Sequence, residues 1–542
     1  MRKRKIWQLQ KCDREYAAGI AADLGVSPVV VSVLLNRGVR EKEEIREFLF
    51  GSEQPFHEPL LMKDMQKAAE RILEAVKNGE QITVYGDYDV DGISASSLLY
   101  LYLQGLGAKV NTYIPKRKNE GYGLNNEALA ALAEAGTTLL VTVDCGISGV
   151  DEVAAAPAGL EIIITDHHTP PDVLPAAYAI VNPHQRDCRY PFKYLSGVGV
   201  AFKLCQALHQ MQHLTEPLWS ELTELVALGT VADIVPLRGE NRALVKLGLA
   251  AMENTGIVGL QKLIEHSGCP QQNISAENIG FILAPRLNAV GRLEHAQSAV
   301  ELLVTDAAKA DMVAEQLNAE NALRQEISRK IFIEAEAMLA QQERIETAIV
   351  LAKEGWHAGV IGIVASRLVD KYHLPTILIS IDGEAAKGSC RSIPALDLYS
   401  ALNECSELLL QFGGHHQAAG LTLRAARVES FKKRFLGVVR GRLEPADYQP
   451  RLKIECLLDK NEEVSLQLVR ELALEPLGCD NQPPLFAFKD AVVHYPKAFG
   501  RDNNHLRFYT DYGKYNYHSI MWNGAADLAC LYNNAVVDLA FM

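Results

Sequence analysis

Short β-rich runs that alternate with helical patterns between residues 81 and 168 constrain the fold of this chain more than any other feature. In order, the segments are QITVYGDYDV, ISASSLLYLYLQGLG, KVNTYIP, TTLLVTVDCG and EIIITDHH. Alternation of this kind is typical of βαβ units, in which successive strands lie parallel and helices cover the sheet. The sequence therefore predicts an α/β domain built on a parallel sheet.

Three of these runs end in polar clusters, which are GDYDVDG, DCG and TDHH. The chain should leave the sheet at these points, at the carboxyl ends of the strands. In open α/β sheets, ligands bind at that edge. We therefore expect three clusters that are distant in sequence to converge on one crevice.

The first cluster places Asp87, Asp89 and Asp91 two residues apart, directly after a strand. Carboxylates this close repel one another unless a cation neutralises them. A solvated Asp-rich turn, or an Asp that caps the helix beginning near Ile93, would account for the same pattern. An EF-hand calcium loop would need a later Glu, which Ser94 to Ser97 do not supply.

Further candidate ligands are Asp144 in VTVDCG, the triplet Asp166, His167 and His168 in IIITDHHTP, and Asp233 in LVALGTVADIVPL. Taken singly, an Asp or His after a strand is more often a helix cap or a hydrogen-bonded core residue. Asp233 is a lone carboxylate in an apolar stretch, where an unpaired charge is costly. The coincidence of all the clusters favours a shared site.

The types of side chain in these clusters indicate the metal and the reaction. Carboxylates and imidazoles without a thiolate form a hard, oxygen-rich site that suits Mn²⁺ or Mg²⁺ better than zinc. Two such ions can bind both the attacking water and the phosphate oxygens of an in-line displacement. The sequence therefore predicts hydrolysis of a phosphodiester, with two Mn²⁺ or Mg²⁺ ions as cofactors.

In order and approximate spacing, the segments GDYDVDG, VTVDCG, TDHHTP and GTVADIVPL resemble the four motifs of the DHH phosphoesterases. The resemblance extends to the family members that degrade single-stranded DNA through IPKRKNEGYG, LSGVGVAF, APRLNAVGRL, WHAGVIGIVASRL and FGGHHQAAG. It covers roughly residues 80 to 530. The combination of motifs is specific, although each motif alone is weak.

The resemblance implies that Asp144, His167 and His168 are catalytic. The metal ligands that it implies are Asp87, Asp89, Asp91, Asp144, His167 and Asp233. Asp144 would bridge the two ions, and His168 would lie beside the phosphate and donate a hydrogen bond or a proton as charge develops. Tyr85 stands where phosphatase-type relatives have a His ligand, which predicts an altered metal affinity or preference.

The segments GSCRS and FGGHHQAAG are candidates for substrate binding, because glycines let a phosphate approach the main chain and Arg offers a bidentate fork. An ordinary tight turn is the alternative for each. The resemblance implies that Ser389, Arg391 and Arg117 grip a terminal 5′ phosphate, which would set 5′-to-3′ polarity. The further substrate contacts that it implies are Arg286, Arg292 and His415. Cys390 replaces the Gly that is usual in its motif.

Five segments are predicted along the chain. A parallel-sheet DHH domain is joined by a long helix to a second α/β domain, the DHH-associated domain, and a small OB-like β-barrel follows. The predicted bounds are 1–60 for a helical N-terminal lead-in, 61–304 for the DHH catalytic domain, 305–346 for the connecting helix, 347–445 for the DHH-associated substrate-binding domain and 446–542 for the OB-like domain. The chain ends within a strand-like run, so we expect a shortened last domain.

Charge and hydropathy restrict the functional classes. A formal charge of −13 argues against nonspecific coating of nucleic acid, which depends on neutralising phosphates, so any nucleic-acid track must be local. The start MRKRKIWQLQ lacks the apolar core of a secretory signal, and the apolar stretches fall short of the roughly 20 residues that span a bilayer. Ten cysteines without a CxxC pair indicate reduced thiols. We expect a cytoplasmic protein with no membrane span.

From the resemblance we expect a metal-dependent exonuclease that hydrolyses single-stranded DNA from the 5′ end, releases 5′-mononucleotides, and serves DNA repair and recombination. A narrow cleft between the two α/β domains would exclude a duplex. The alternative within the family is a phosphodiesterase of short oligonucleotides or cyclic dinucleotides. A catalytically inactive scaffold is a third interpretation, which the four intact motifs oppose. The resemblance also implies cooperation with a helicase and a single-strand-binding protein.

Overall fold

The computed structural model of the chain describes residues 5–51, 56–116, 123–214, 222–293, 296–342, 347–460, 464–472 and 474–542, with the backbone alone for 290–293. Two compact units divide these residues. The first unit spans 55–450, and the second combines 5–54 with 451–542. Each unit has a buried apolar core of its own.

A short strand and three helices open the chain and belong to the second unit. They are β1 (Ile6–Leu9), α1 (Arg14–Leu24), α2 (Pro28–Asn36) and α3 (Lys42–Phe50). The side chain of Asp13 begins α1 by accepting hydrogen bonds from the backbone N–H groups of Glu15 and Tyr16. Ser27 caps α2 in the same way, through the backbone N–H of Val29. Local capping chemistry therefore fixes the start of both helices.

A five-stranded parallel sheet forms the centre of the first unit. Its strands are β2 (Gln81–Gly86), β3 (Lys109–Tyr113), β4 (Leu139–Val143), β5 (Glu161–Thr165) and β6 (Ala179–Val181). They lie in the order β3-β2-β4-β5-β6, and every neighbouring pair is parallel. All five residues of β4 are buried, as expected of a strand that is covered on both faces. The predicted parallel sheet is thus confirmed.

Helices cover both faces of this sheet. The helices of this part of the chain are α4 (Met65–Asn78), α5 (Val90–Gly105), α6 (Asn126–Glu134), α7 (Val150–Ala154), α8 (Gly197–Met211), α9 (Thr223–Ala232), α10 (Gly239–Met252), α11 (Val258–Ser267), α12 (Ala276–Asn278), α13 (Ala284–Leu293) and α14 (Ala296–Val304). A π-helical stretch at Ile279–Leu283 joins α12 to α13. Ile82 and Val84 of β2 pack in the core that includes α5 and α8, whereas Tyr85 packs in the core that includes α6. Side chains that alternate between two faces therefore place α5 and α8 on one side of the sheet and α6 on the other.

The long helix α15 (Ala307–Ala340) has 34 residues and lies within the predicted connecting segment. Its first half buries Val313 and Leu317 in the core of the parallel-sheet domain. Its second half buries Ile331 and Leu339 in the core beside the next helix of the chain. The helix is thus held by apolar contacts at both ends.

A second, mixed sheet follows α15 in the first unit. The elements of this region are β7 (Ile349–Glu354), α16 (Ile361–Tyr372), β8 (Thr376–Asp382), β9 (Ala385–Arg391), α17 (Leu398–Asn403), β10 (Gln411–Gly414), β11 (Ala418–Arg424) and α18 (Val428–Arg442). The strand order is β10-β11-β9-β8-β7. Only β7 and β8 are parallel, and the other pairs are antiparallel.

The C-terminal residues complete the second unit with a largely antiparallel sheet. The strands of this sheet are β13 (Cys456–Leu457), β14 (Phe486–Phe499), β15 (His505–Tyr512), β16 (Tyr515–Met521) and β17 (Ala535–Phe541). The same part of the chain contains α19 (Leu466–Glu471) and β12 (Arg451–Ile454), which forms a separate two-stranded sheet with β1. The order is β13-β14-β15-β16, and β17 pairs with β14. The last strand-like run of the chain therefore forms a paired strand.

The helical lead-in that the sequence predicts over 1–60 lies largely in the second unit of the structure. Residues 5–54 fold with the C-terminal residues, because β1 pairs in parallel with β12. Arg37 forms an ion pair with Glu455, in which Nε lies 2.7 Å from Oε1. Val30 and Leu34 of α2 are buried in the same core as Phe486. Apolar burial and pairing of the backbone thus join the two ends of the chain in one unit.

Within the described ranges, no single helix is long and apolar enough to cross a membrane. Taken together, α1 and α2 have the length and apolar composition of a membrane span, but the chain bends by 120° between them. In this structure the apolar residues Val29 to Leu34 of α2 are buried within the second unit.

Candidate metal centre

The first acidic cluster lies between the end of β2 and the first turn of α5. The Oδ1 atom of Asp89 accepts hydrogen bonds from the backbone N–H groups of Asp91 at 2.9 Å and Gly92 at 3.1 Å. Asp89 is therefore the N-cap of α5, which was one of the alternatives for this cluster. Both bonds use the same oxygen, so the cap is compatible with a role for Asp89 as a metal ligand.

Asp91 lies at the N-terminus of α8. Its Oδ2 accepts the backbone N–H of Gly197 at 2.6 Å, and its Oδ1 accepts that of Val198 at 2.8 Å. Two helix amides therefore hold the carboxylate in one orientation. Burial, followed by the charge of Asp89, raises the pKa of Asp91 to about 7. A cation would relieve this cost of ionising the group.

Asp144 directly follows β4 and has a left-handed backbone conformation, with φ at 60°. This conformation is uncommon for a residue other than glycine and is often found at functional sites. The side chain is buried, and Oδ1 has no hydrogen-bond partner among the described residues. Burial, followed by the charge of Asp91, raises the pKa of Asp144 well above its ordinary value.

His167 follows β5, and its Nε2 atom faces three carboxylates. The distances from Nε2 are 3.1 Å to Asp144 Oδ1, 3.6 Å to Asp233 Oδ2 and 3.9 Å to Asp91 Oδ2. Burial, followed by the charge of His168, lowers the pKa of His167 to about 4. The imidazole is therefore neutral near pH 7, which is the form that binds metal ions.

Asp166 organises the two histidines. Its carboxylate accepts the backbone N–H groups of Ile147, His167 and His168, and its Oδ1 lies 2.7 Å from Nδ1 of His168. Burial acts to lower the pKa of His168, but the hydrogen bond and charge of Asp166 outweigh it and raise that pKa to about 9. His168 thus carries a proton near pH 7. The sequence alone assigns Asp166 no role apart from its triplet, although its place at the end of a buried strand is a signal.

Asp233 is the C-cap residue of α9. It is the last residue of the cluster along the chain. Burial, followed by the charge of Asp91, raises the pKa of Asp233 to about 9. The next residue, Ile234, has a left-handed backbone with φ at 62°. The turn at the end of α9 therefore presents the Asp233 carboxylate to His167.

The structure brings all seven predicted metal and catalytic residues into overlapping groups. Three groups have one ligand atom per residue within 4.8 Å of one another, and they are Asp144 with His167 and His168, Asp91 with His167 and Asp233, and Asp87 with Asp89 and Asp144. Asp144 and His167 each belong to two of these groups. The donors are carboxylates and imidazoles, which suit Mn²⁺ or Mg²⁺. The buried atoms Asp144 Oδ1 and His167 Nε2 lack hydrogen bonds within the described residues, so the site fits a cation.

Two glycines allow helices to approach these carboxylates closely. A Cβ atom added to Gly197 would lie 2.5 Å from Oδ1 of Asp144, and one added to Gly229 would lie 2.7 Å from Oδ1 of Asp91. Both distances are shorter than van der Waals contact allows. The motifs LSGVGVAF and GTVADIVPL contain these glycines, but the sequence alone did not assign them a role. Their importance depends on packing between distant helices.

Ser389 and Arg391 lie together on β9 beside the start of α16. Nη1 of Arg391 is 3.2 Å from Oγ of Ser389, and a Cβ atom added to Gly362 of α16 would lie 2.7 Å from the same Oγ. Cys390 between them is buried in the core of this domain, on the other face of the strand. His415 lies just beyond β10, and its backbone N–H donates to the carbonyl of Ala418, whose strand partner is Arg391.

The remaining predicted substrate contacts are three arginines. Nε of Arg286 donates to Oδ1 of Asn318 at 2.9 Å, Nη1 donates to the carbonyl of Ile282 at 2.6 Å and Nη2 donates to that of Ser267 at 3.2 Å. These bonds use three of the five N–H groups of the guanidinium. Arg117 lies outside the described residues, as does the side chain of Arg292.

Family models match three segments of the chain. The segments are residues 81–230 for the DHH family, N-terminal domain, 345–441 for the DHHA1 domain and 458–542 for the RecJ OB domain. The first match contains all seven residues of the acidic cluster except Asp233. The second contains Ser389, Arg391 and His415.

Two curated relatives carry the same name, single-stranded-DNA-specific exonuclease RecJ. The protein of Bacillus subtilis (strain 168) is 42% identical over 506 residues, which cover 92% of this chain and 64% of that protein. The protein of Escherichia coli (strain K12) is 36% identical over 506 residues, which cover 88% of this chain and 86% of that protein. The chain thus spans less than two thirds of the length of the Bacillus subtilis relative.

A solved structure shows the same fold over nearly the whole chain. The crystal structure of RecJ in complex with Mn²⁺ from Thermus thermophilus matches with a TM-score of 0.82 and 34% sequence identity. The match covers 96% of this chain and 74% of that one. The α/β architecture with a C-terminal OB domain is thereby confirmed.

Proposed function

This chain belongs to the RecJ family of the DHH phosphoesterases, and on that premise we propose that it is a metal-dependent exonuclease that hydrolyses single-stranded DNA. The observation that carries the proposal is the cluster of five carboxylates and two imidazoles at the carboxyl edge of the parallel sheet. Such a cluster provides the hard ligands that two-ion phosphodiester hydrolysis needs. Its relatives are named as single-stranded-DNA-specific exonucleases, which agrees with this chemistry.

The proposed cofactors are two Mn²⁺ or Mg²⁺ ions. Structures of the Thermus thermophilus relative contain Mn²⁺ or Mg²⁺, which supports this choice. The residues that would hold the ions are Asp87, Asp89, Asp91, Asp144, His167 and Asp233. When bound, divalent ions neutralise charge on a phosphate and activate water for attack. Tyr85, whose hydroxyl donates to the carbonyl of Gly123 at 2.9 Å, packs in the core beside α6.

Two residues have distinct proposed roles in this centre. Asp144 would contact both ions: it and His167 each belong to two of the three groups, but only the carboxylate has two oxygens to share between the ions. His168 faces the phosphate and donates a proton or hydrogen bond to it, because the adjacent Asp166 keeps the imidazole protonated near pH 7. A charged donor would be most favourable in the transition state, when negative charge develops on the phosphate oxygens.

The proposed direction of cleavage is 5′ to 3′, with release of 5′-mononucleotides. Ser389 and Arg391 provide a hydroxyl and a guanidinium side by side, which suits a terminal phosphate. Arg117 is proposed as a second cation at this phosphate, and Arg292 and His415 as further contacts along the strand. Arg286 has two N–H groups beyond its three protein bonds, and these would serve the same purpose.

The setting of the activity is proposed from the same chemistry. An enzyme confined to single strands depends on a helicase to separate duplex DNA and on a single-strand-binding protein to keep the strands apart. We therefore include both as partners, in cytoplasmic DNA repair and recombination. We also propose the domain bounds that the sequence predicts, which are 61–304 for the DHH domain and 347–445 for the DHH-associated domain.

The decisive experiment uses the full chain with Mn²⁺ and long single strands labelled at either the 5′ or the 3′ end. Duplex DNA and dinucleotides are compared under the same conditions. Early release of labelled mononucleotide from the 5′ label alone is expected, with no cleavage of the duplex. Cleavage of dinucleotides alone would instead select a phosphodiesterase of short oligonucleotides and overturn the proposal.

A matched pair of variants tests the metal centre. Asp144→Asn should abolish cleavage and weaken Mn²⁺ binding, because it removes the charge of the shared ligand. Asp151→Asn changes an exposed aspartate of the same domain and should behave like the wild type. Full activity of Asp144→Asn in Mn²⁺ would reject the assigned role.

A further inference from the structure

Ile234 is an exposed apolar residue directly beside the proposed metal ligand Asp233. Its side chain is 71% exposed, and its backbone is left-handed with φ at 62°. That conformation is a genuine outlier for a β-branched residue and carries a strain cost. The structure therefore holds an isoleucine in solvent, at the edge of the acidic cluster, by an unfavourable turn.

Phe281 is a second exposed apolar residue, at the centre of the π-helical stretch Ile279–Leu283. Its side chain is 79% exposed, whereas Ile279 and Leu283 on either side are buried. Short π-helical turns are rare and occur frequently at functional sites. Here the turn anchors its two ends in the core and leaves the aromatic ring in solvent.

Contacts through Val231 bring these two residues to the same part of the surface. The backbone N–H of Ile234 donates to the carbonyl of Val231 at 3.3 Å. A Cβ atom added to Gly280 would lie 3.9 Å from Cγ1 of Val231, so the π-helical stretch packs directly on α9. The π-helical stretch that carries Phe281 and the turn that carries Ile234 thus both contact Val231, in the last turn of α9 before Asp233.

We propose that Phe281 and Ile234 form an apolar step that packs against a nucleobase of the strand whose phosphodiester lies at the metal centre. This inference rests on the proposed function and adds the surface that positions the substrate. The acidic cluster with its cations would attract the phosphates, so the bases of the same strand must find other surfaces nearby. An aromatic ring offers a stacking face to every base, and neither side chain can read base-pair edges. The step would therefore hold the strand without regard to sequence, as an exonuclease of general specificity requires.

The test combines variants of the protein with a scan of the substrate. The variants are Phe281→Ala, Ile234→Ala and the conservative Phe281→Tyr, with Phe50→Ala as a control. Phe50 is also an exposed phenylalanine, at 56%, but it lies in the second compact unit. The substrates are single strands of one length in which a single abasic residue is moved stepwise inward from the end that the enzyme attacks.

The expected result is a loss of about 10-fold in kcat/KM for Phe281→Ala, mainly through KM, because stacking of one base on an aromatic ring has about that effect. Ile234→Ala should give a smaller loss. Phe281→Tyr and Phe50→Ala should match the wild type. In the wild type, an abasic residue at one position should cause a similar loss, and the same substrate should cause no further loss in Phe281→Ala.

Each other outcome has a distinct meaning. Equal kcat/KM for Phe281→Ala and the wild type would overturn the proposed step. A loss in Phe281→Ala with an undiminished abasic effect would also overturn it, since the phenylalanine would then act through another contact, such as one with a protein. Mn²⁺ affinity measured on the same variants should be unchanged, and a weakened affinity would assign the residue to the metal centre instead. Failure of the wild type to cleave any single strand would reject the proposed function itself.

Discussion

Asp144 Oδ1 lies 3.1 Å from His167 Nε2, and neither buried atom forms a hydrogen bond within the described residues. When Nε2 is the unprotonated nitrogen of the neutral imidazole, it and the carboxylate oxygen both present lone pairs, so such an approach is repulsive by itself. A divalent ion bound by both atoms would make the arrangement favourable. Ligand atoms at about 2.1 Å from one octahedral ion are about 3 Å apart, which matches the observed distance. The pair therefore has the geometry expected of two ligands of one cation.

The first prediction concerns the stability of the metal-free protein. The pKa of Asp91 is raised from 3.8 to about 7 and that of Asp233 from 3.8 to about 9. Between the ordinary and the raised pKa of each group, the folded state binds more protons than the unfolded state. The free energy of unfolding therefore falls as pH rises from about 4 to about 9, by at most ~1.4 kcal/mol per pH unit for each group. Melting temperatures in EDTA across this range should fall accordingly.

Added Mn²⁺ should raise the melting temperature, and the increase should grow with pH as the ligands lose their protons. Asp233→Asn supplies the control, because it removes one raised carboxyl. In EDTA at alkaline pH this variant should be more stable than the wild type, and in Mn²⁺ it should gain less. A melting temperature in EDTA that rises steadily with pH would contradict the assignment.

The second prediction concerns Gly197→Ala. The added methyl group would lie 2.5 Å from Oδ1 of Asp144, so α8 and the carboxylate must separate. Loss of a group that positions a metal ligand typically lowers metal affinity by about 10- to 100-fold. We expect Mn²⁺ affinity to fall by at least about 10-fold, and activity to fall with it. Calorimetric titration with Mn²⁺ measures the first effect.

Gly437→Ala is the matched control for this substitution. Gly437 is also within a helix, but a Cβ atom there meets no other atom within 4 Å. The control variant should keep wild-type affinity for Mn²⁺ and gain a little stability, since alanine favours helix. Equal Mn²⁺ affinity in the two variants would show that the close approach has no effect on the centre.

The parallel sheet and the residues of the acidic cluster could be predicted because their signals are local. Strand-like runs have a recognisable composition, and the clusters at their ends stand at the edge where parallel strands finish. Asp89 shows that competing interpretations can both hold, since it caps α5 and also has an oxygen within 4.8 Å of ligand atoms of Asp87 and Asp144. Asp233 stands out only as a lone carboxylate in an apolar stretch, and the family resemblance adds its role as a ligand.

Features that depend on long-range packing could not be predicted. Gly197 is restricted by Asp144, which is far from it in sequence, and nothing in the surrounding residues reveals that approach. The ion pair of Arg37 with Glu455 joins residues 418 positions apart, so the lead-in could not be assigned to the C-terminal unit. The sequence predicts Arg286 as a substrate contact but does not reveal that three of its N–H groups donate to acceptors within the protein.

The third prediction concerns Asp166→Asn. Asp166 is not in the groups of ligand atoms, but it binds three backbone N–H groups and Nδ1 of His168. An amide would place N–H donors against other donors and would release the proton that His168 holds. We expect kcat to fall by about 10- to 100-fold with a smaller change in KM. Asp172→Asn, at an exposed position, should leave both unchanged.

Mn²⁺ titration separates this effect from the loss of a ligand. The affinity of Asp166→Asn for Mn²⁺ should fall much less than that of Asp144→Asn. If the two variants lose Mn²⁺ affinity equally, Asp166 belongs to the metal centre and its role in holding His168 is wrong.

The last prediction concerns the union of the chain ends in the second unit. Arg37 donates to both carboxylate oxygens of Glu455, to Oδ1 of Asn481 and to the carbonyl of Gln482. Both charged side chains are nearly buried, so Arg37→Ala leaves an unpaired carboxylate and should destabilise this unit by about 2 to 4 kcal/mol. Arg46→Ala removes an exposed ion pair and should cost less than about 1 kcal/mol. Hydrogen exchange of the peptides that contain β1 and β12 measures the difference, because their pairing opens when the unit unfolds. Equal protection in the two variants would mean that the N-terminal segment is held by its apolar contacts alone.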